Sequence, residues 1–256
     1  MNAPQRAVAL ELLSVSLSAR GFEVARNVMK LNHTLGEITG NWEFLGEWLY
    51  FLCIFGTPST TEPWGWQLDG HHLNLNYFVM GDQIAMTPGF WGAEPNHADD
   101  GIYAGLRADA LNHAQKTMLI GLIRVYVSHL RDQHQGPWLA EIEHHLNDTY
   151  FAWIGGAGDQ DTFYYKVHSP VLLIEFDMHK GVFLDNDEPE KFHVHITLRT
   201  PNGNDYGRDL LRQHLVRHHH GDHHHDGHGN DGHENDRHED DGHPKGAHHH
   251  GDGREV

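Results

Sequence analysis

The last 40 residues of the chain contain almost nothing that a protein core could bury. From Arg217 onward they hold 13 of the 27 histidines, together with 8 glycines, 7 aspartates and 3 glutamates. Such a segment cannot offset the entropy of ordering its backbone. We therefore expect residues 217–256 to be a disordered tail and residues 1–216 to fold as a single domain.

The charge of the chain limits its partners. The formal net charge is −18, and residues 1–216 alone carry 14 Lys and Arg against 26 Asp and Glu. An acidic surface repels phosphate backbones, so we expect no nucleic-acid partner. Cys53 is the single cysteine, which excludes an internal disulfide and a cysteine-cluster metal site.

No segment has the pattern of a membrane span or an export signal. The apolar runs are all shorter than the roughly 18 residues that a spanning helix needs. Glu11 interrupts the apolar stretch near the N-terminus, where a signal peptide would be continuous. We therefore expect no membrane span and a cytoplasmic location, with export to the periplasm left open.

Hydrophobic periodicity divides the folded part into helices followed mainly by strands. Helical spacing predicts two helices over 8–38 that divide at Gly21, a long helix over 102–130 that Gly136-Pro137 stops, and short helices near 139–146 and 208–215. Alternation and short apolar runs predict strands at 48–55, 66–79, 83–86, 150–154, 163–167, 171–178 and 192–198. Helices grouped first, then strands with short connections, favour an α+β fold with a mainly antiparallel sheet flanked by helices.

The strand predicted at 66–79 changes face in its middle. Beyond Gly70 the polar residues His72, Asn74 and Asn76 alternate with apolar ones, whereas before it the apolar residues occupy the even positions. A switch at a glycine predicts a β-bulge, a feature often found beside functional sites. His72, Asn74 and Asn76 should then project together from one face.

Two later strands carry the residues best suited to chemistry. Their polar residues share one face of each strand: Glu175, Asp177 and His179 on 171–179, and His193, His195, Thr197 and Arg199 on 192–199. If the loop 180–190 closes a symmetric hairpin, Glu175 pairs with His195 and Asp177 with His193. A one-residue slip would turn the carboxylates away.

This hairpin predicts a metal site formed by His72, His193, His195 and Glu175. Two imidazoles and a carboxylate are a ligand set of catalytic zinc and of non-haem iron, and an additional imidazole suits zinc, copper or nickel. The alternative is that a His beside a carboxylate is only a hydrogen-bonded structural pair. The sequence therefore predicts a divalent transition metal without fixing whether it is zinc, copper, iron or nickel.

The metal site supports a hypothesis of catalysis. A metal-dependent enzyme, hydrolytic or oxidative, would use Glu175, Asp177 and Arg199 in catalysis, with Asp177 as a partner of a metal ligand or as general base. Asn74, Asn76 and Arg199 would bind a small polar or anionic substrate.

Several runs of the chain resemble the bacterial domain-of-unknown-function family 3500, DUF3500. They are FGTPS at 55–59, WGWQLDGHHLN at 64–74, Thr87-Pro88, GAEP at 92–95, SPVLLIEFD at 169–177, and His193-Val194-His195 with Arg199 and PNGNDYG at 201–207. The likeness extends from about Leu13 to His214 and implies no activity. In the family a His directly follows the IEFD run, where this chain has Met178 and then His179. The chain is also shorter than is usual for the family between the GAEP run and the long helix.

The tail offers its own metal ligands. Three triplets lie between Asp and Gly residues: His218, His219, His220; His223, His224, His225; and His248, His249, His250. They should bind Zn²⁺, Ni²⁺ or Cu²⁺ loosely, and less well below about pH 6, where His protonates. Two further hypotheses are thus non-catalytic metal storage, buffering or delivery through the tail, and a ligand-binding domain whose histidines are structural.

Overall fold

The computed structural model describes residues 1–92, 105–181, 187–191 and 193–218. Five α-helices lie in this part of the chain: α1 Ala3–Ser16, α2 Ala19–Thr39, α3 His113–Val127, α4 Asp132–His144 and α5 Arg208–His218. Ten strands accompany them: β1 Tyr50–Phe55, β2 Trp64–Gly70, β3 Leu73–Met80, β4 Gln83–Ala85, β5 Gly89–Gly92, β6 Leu106–Arg107, β7 Tyr150–Gly155, β8 Phe163–His168, β9 Leu173–Met178 and β10 Val194–Arg199.

The helix ends follow local capping chemistry. Asn112 caps α3 with a capping box to Gln115, so this helix begins at His113, eleven residues later than the predicted start at 102. Gly40 ends α2 in the left-handed conformation at φ +70°. Gly136-Pro137 does not stop a helix, because Pro137 lies inside α4. Helix α5 continues through Arg217 and His218, and the rest of the predicted tail, 219–256, lies outside the described residues.

All strand pairs in the described part of the sheet are antiparallel. The strand order is β1-β2-β3-β5-β10-β9-β8-β7-β6, with β4 paired to β3. The predicted α+β class with a mainly antiparallel sheet is therefore confirmed. Within the described ranges, no helix is both long enough and apolar enough to cross a membrane.

The predicted bulge at Gly70 is wrong, because the chain reverses direction there. Strands β2 and β3 form a hairpin in which Asp69 pairs with Asn74, and His71 and His72 form the turn. A reversal restarts the alternation on the returning strand, and the resulting change of face resembles that of a bulge in the sequence. The predicted return strand after Gly81-Asp82 is confirmed by the pairing of Met80 with Gln83.

The strand predicted at 48–55 is β1, which lies at an edge of the sheet and is largely exposed although its sequence is apolar. Phe51 is 73% exposed, and Ile54 and Phe55 are also exposed. The thiol of Cys53 is free and exposed as well. An apolar run of six residues therefore fits an edge strand as well as a central one, because its length and composition do not reveal its neighbours.

One face of the sheet carries the core, and helices cover it. Leu73 of β3 and Trp91 of β5 pair on this face and are buried. The hydroxyl of Tyr77 donates to the carbonyl of Ser16 at 3.0 Å, which joins β3 to α1. The polar residues of the same strands alternate with these, so they project from the opposite face.

His129, which follows α3, makes folding sensitive to acid. Its ring packs 5.3 Å from that of Trp91, and its Nδ1 is buried with no hydrogen-bond partner among the described residues. Burial, and then the charge of Arg20, lowers the pKa of His129 from 6.5 to about 4. Above about pH 6.5 His129 is neutral in both states and does not reduce the free energy of unfolding. As the pH falls toward 4, the free energy of unfolding decreases, because the unfolded state binds the proton more readily.

Between about pH 7.5 and about pH 5, the free energy of unfolding of the wild type should fall by about 2 kcal/mol more than that of His129→Gln. Chemical denaturation at the two pH values measures the difference. His113→Gln, at an exposed position of α3, should keep the wild-type pH dependence. An unchanged pH dependence in His129→Gln would show that His129 is not held neutral.

Candidate metal centre

The register of the strands aligns histidine and aspartate residues in one row that runs across the sheet. His195 of β10 pairs with Gly92 of β5 on one side and with Asp177 of β9 on the other. Gly92 N donates to the carbonyl of His72 at 2.9 Å, and Asp177 pairs with Tyr164 of β8. The row therefore runs from the β2–β3 turn across β5, β10, β9 and β8, with a glycine between His72 and His195.

Asp177, His179 and His195 form the centre of the candidate site. Each offers one ligand atom, and these atoms all lie within 4.8 Å of one another. His179 Nε2 lies 2.7 Å from Asp177 Oδ2, and His195 Nδ1 lies 3.3 Å from Asp177 Oδ1. Among the described residues, no other three His, Cys, Asp or Glu meet this condition. We call these three residues the triad.

The strands fix the triad by alternation and by one further ladder bond. Asp177 and His179 are two residues apart and therefore share a face. His179 lies just beyond the end of β9, but its N–H donates to the carbonyl of His193 at 2.7 Å, which continues the pairing with β10. The backbone thus places Asp177 opposite His195 and His179 opposite His193.

Burial and mutual contact shift the pKa values of His195 and Asp177. Burial lowers the pKa of His195, the charge of His179 lowers it further, and Asp177 opposes both effects. Burial alone would raise the pKa of Asp177, but its interactions with His195 and His179 outweigh this and lower it. A neutral imidazole and a charged carboxylate are the forms that bind a metal ion. His195 Nε2 is buried and has no hydrogen-bond partner among the described residues.

Three more histidines surround the triad. The ring of His193 lies 5.1 Å from that of His195 and 5.6 Å from that of His179. The rings of His71 and His72 lie 4.1 Å apart at the β2–β3 turn. Burial lowers the pKa of His72 to about 3, and the charges of His71, His193 and His195 lower it in the same direction. These rings therefore form one imidazole cluster on the polar face.

The predicted pairing of Glu175 with His195 and of Asp177 with His193 is wrong by two residues. Thr197 lies opposite Glu175. A turn in which His193 N donates to the carbonyl of Glu190 takes up residues immediately before β10. His179 N donates to the carbonyl of His193, so residues 180–192 and not 180–190 connect the two strands, which moves the pairing by two residues. Because the slip is even, all the polar side chains stay on the predicted face.

Of the four predicted metal ligands, only His195 belongs to the triad. Glu175 accepts a hydrogen bond from the hydroxyl of Tyr164 at 2.7 Å, one row away from Asp177. His72 and His193 belong to the surrounding cluster. The structure adds His179, which sequence reasoning did not select as a ligand, although the pattern Asp177-Met178-His179 places it on the ligand face.

The predicted substrate-binding residues lie on the same polar face but bond to the protein itself. Asn74 Nδ2 donates to Asp69 Oδ1 at 2.8 Å, and Asn76 Nδ2 donates to the carbonyl of Pro88 at 2.8 Å. Arg199 lies two rows from His195, and its Nε donates to Asp205 Oδ2 at 3.0 Å. The structure thus does not bring these three into the triad.

Of the nine histidines in the tail triplets, the described residues include only His218. His218 is the last residue of α5. The other predicted tail ligands lie outside the described residues: His219, His220, His223, His224, His225, His248, His249 and His250.

Comparison with known proteins places the chain in a family but gives it no activity. The family model described as a protein of unknown function, DUF3500, matches residues 1–108 and 100–208. No curated protein and no solved structure matches the chain. The two family matches span nearly all of the described part of the chain, so the chain belongs to the DUF3500 family, as the sequence resemblance predicted.

Proposed function

We propose that this protein is a metal-dependent enzyme that binds one divalent transition-metal ion at Asp177, His179 and His195. The observation that carries the proposal is the convergence of three ligand atoms within 4.8 Å of one another. The buried Nε2 of His195, which has no hydrogen-bond partner in the described structure, supports it. A buried polar atom without a partner is costly, and a metal ion would remove that cost.

The number of protein ligands favours catalysis over a structural role. Structural zinc sites are closed by four protein ligands, whereas catalytic sites have three and keep a position for water or substrate. Two imidazoles and one carboxylate also form the ligand set of non-haem iron oxygenases. The reaction is therefore hydrolytic with zinc or oxidative with iron, and the identity of the bound ion decides between them.

Neighbouring polar groups supply the rest of a reaction site. Glu175, with its hydrogen bond from Tyr164, lies one row from the ion, and we assign it proton transfer. Asp177 acts as a ligand in this proposal. Among the described residues, Arg199 forms its ion pair with Asp205 through Nε, and its side chain is 41% exposed, which leaves other N–H groups for an anionic substrate. Asn74 and Asn76 contact the substrate along the same face.

A second candidate function rests on the composition of the tail. Thirteen histidines in 40 residues suit metal storage, buffering or delivery. In that case most of the bound metal would belong to the tail, and the triad would add nothing measurable.

Metal content of the full-length chain tests the proposal. We expect His195→Ala to lose about one equivalent of metal per chain relative to the wild type, because three ligands hold one ion. The tail is identical in both proteins, so its contribution cancels in the difference. Elemental analysis after purification without an affinity tag measures the loss and identifies the ion.

The matched control is His113→Ala, which removes an exposed imidazole from α3 and should leave the metal content unchanged. Equal metal content in His195→Ala and the wild type would contradict the proposed function. Zinc in the wild type then directs the assay toward ester, amide and phosphoester hydrolysis, and iron directs it toward oxygen consumption.

A further inference from the structure

We propose that His214 and His218 of α5, together with Glu62, form a second site for a divalent transition-metal ion. This site lies outside the triad and does not depend on the proposed enzymatic function. It occupies the last turn of the helix from which the histidine-rich tail begins.

Helical spacing places the two imidazoles on one face. Residues four apart are neighbours on a helix surface, and two histidines at this spacing are a recurrent zinc-binding arrangement. The ring centroids of His214 and His218 are 4.8 Å apart, with an angle of 38° between the planes. His214 is 7% exposed and is therefore held in place. The three residues do not meet the distance condition that the triad meets, so the exposed ring of His218 must turn to complete the site.

Glu62 brings a carboxylate to this pair from the loop between β1 and β2. Its Oε2 lies 3.5 Å from His214 Nε2. Ser59 Oγ accepts hydrogen bonds from the N–H groups of Thr61 and Glu62 at 3.1 Å and 2.9 Å, which fixes the loop backbone at this point. Imidazole and carboxylate are suitable donors for Zn²⁺, and three of them leave a position for a further ligand.

The position in the chain suggests what the site does. His218 is followed directly by His219 and His220. An ion carried by the tail therefore needs no long transfer to reach a pair of imidazoles fixed on the folded part. The overall negative charge of the protein favours the approach of a cation.

Hydrogen exchange of the full-length chain tests the proposal, with Zn²⁺ as the probe and its free concentration set by a metal buffer. An ion shared by α5 and the β1–β2 loop must slow exchange in both 208–218 and 57–63. At about 100 times the dissociation constant, we expect about a 100-fold slowing for amides whose opening breaks the site.

Variants separate this site from the tail and from the triad. His218→Ala and Glu62→Gln should abolish the zinc-dependent slowing in both segments, while Val216→Ala, an exposed neighbour on α5, should retain it. His195→Ala should retain it too, so failure of the triad and failure of this site are distinguishable. Zinc-dependent slowing that is absent from 57–63, or that persists in the double variant His218→Ala/Glu62→Gln, would overturn the proposal.

Discussion

Gly92→Ala should destabilise the folded protein by on the order of 3–5 kcal/mol. Gly92 has φ +139°, a conformation that side chains rarely adopt. A Cβ at this position would overlap the carbonyl oxygen of Val194 and lie 2.9 Å from the Cα of His195. The substitution therefore strains the backbone and forces β5 away from β10, the junction between the two halves of the sheet.

Urea denaturation measures this effect, and Gly121→Ala provides the matched control. Gly121 lies within α3, and a Cβ there would meet no atom within 4 Å. Alanine should stabilise that helix by about 0.5–1 kcal/mol. The two substitutions should change the free energy of unfolding in opposite directions. A stability of Gly92→Ala close to that of the wild type would refute the close approach of β5 to β10.

Asp177→Asn should weaken metal binding by more than about 100-fold, whereas Glu175→Gln should weaken it by about 10-fold or less. Asp177 contacts both imidazoles of the triad and carries its only negative charge. Glu175 lies one row away with its carboxylate bonded to Tyr164. The two substitutions are chemically matched, so the comparison tests the ligand that the structure favours against the one that the sequence predicted.

Metal-linked stability provides the measurement. A ligand that binds only the folded state at about 1,000 times its dissociation constant adds about 4 kcal/mol to the free energy of unfolding. Sites that bind equally in the folded and unfolded chain cancel, and the site proposed at His214, His218 and Glu62 is the same in all three proteins, so the difference between the variants reports the triad. Relative to the wild type at the same zinc concentration, we expect the gain to be smaller by at most about 1.4 kcal/mol in Glu175→Gln and by at least about 2.7 kcal/mol in Asp177→Asn. The reverse order would make Glu175 the ligand.

Local patterns predicted most of the strands and which side chains share a face. Alternation is a property of neighbouring residues in one strand, and it placed Glu175, Asp177 and His179 on one side without knowledge of the pairing. The same reasoning placed His193 and His195 together. His179 was left out of the predicted ligand set because the family has a His directly after the IEFD run, where this chain has Met178.

Pairing between strands was less accessible to sequence reasoning. A two-residue slip preserves every face, so the hydrophobic pattern gives no penalty that distinguishes the predicted register from the observed one. The turn between β2 and β3 was missed for a related reason. A bulge and a reversal both shift the alternation, and only the partner strand tells them apart.

The sequence by itself determined the α+β class, the family, the polar face of the sheet and the types of ligand that this face offers. The tertiary structure alone decided that Asp177 and His179 meet His195 and that Glu175 stands one row aside. It also decided that His72 reaches the same row through Gly92. The physical reason is that side-chain direction follows from the local backbone, whereas the meeting of distant strands depends on hydrogen bonds and turns that the pattern of a single strand does not contain.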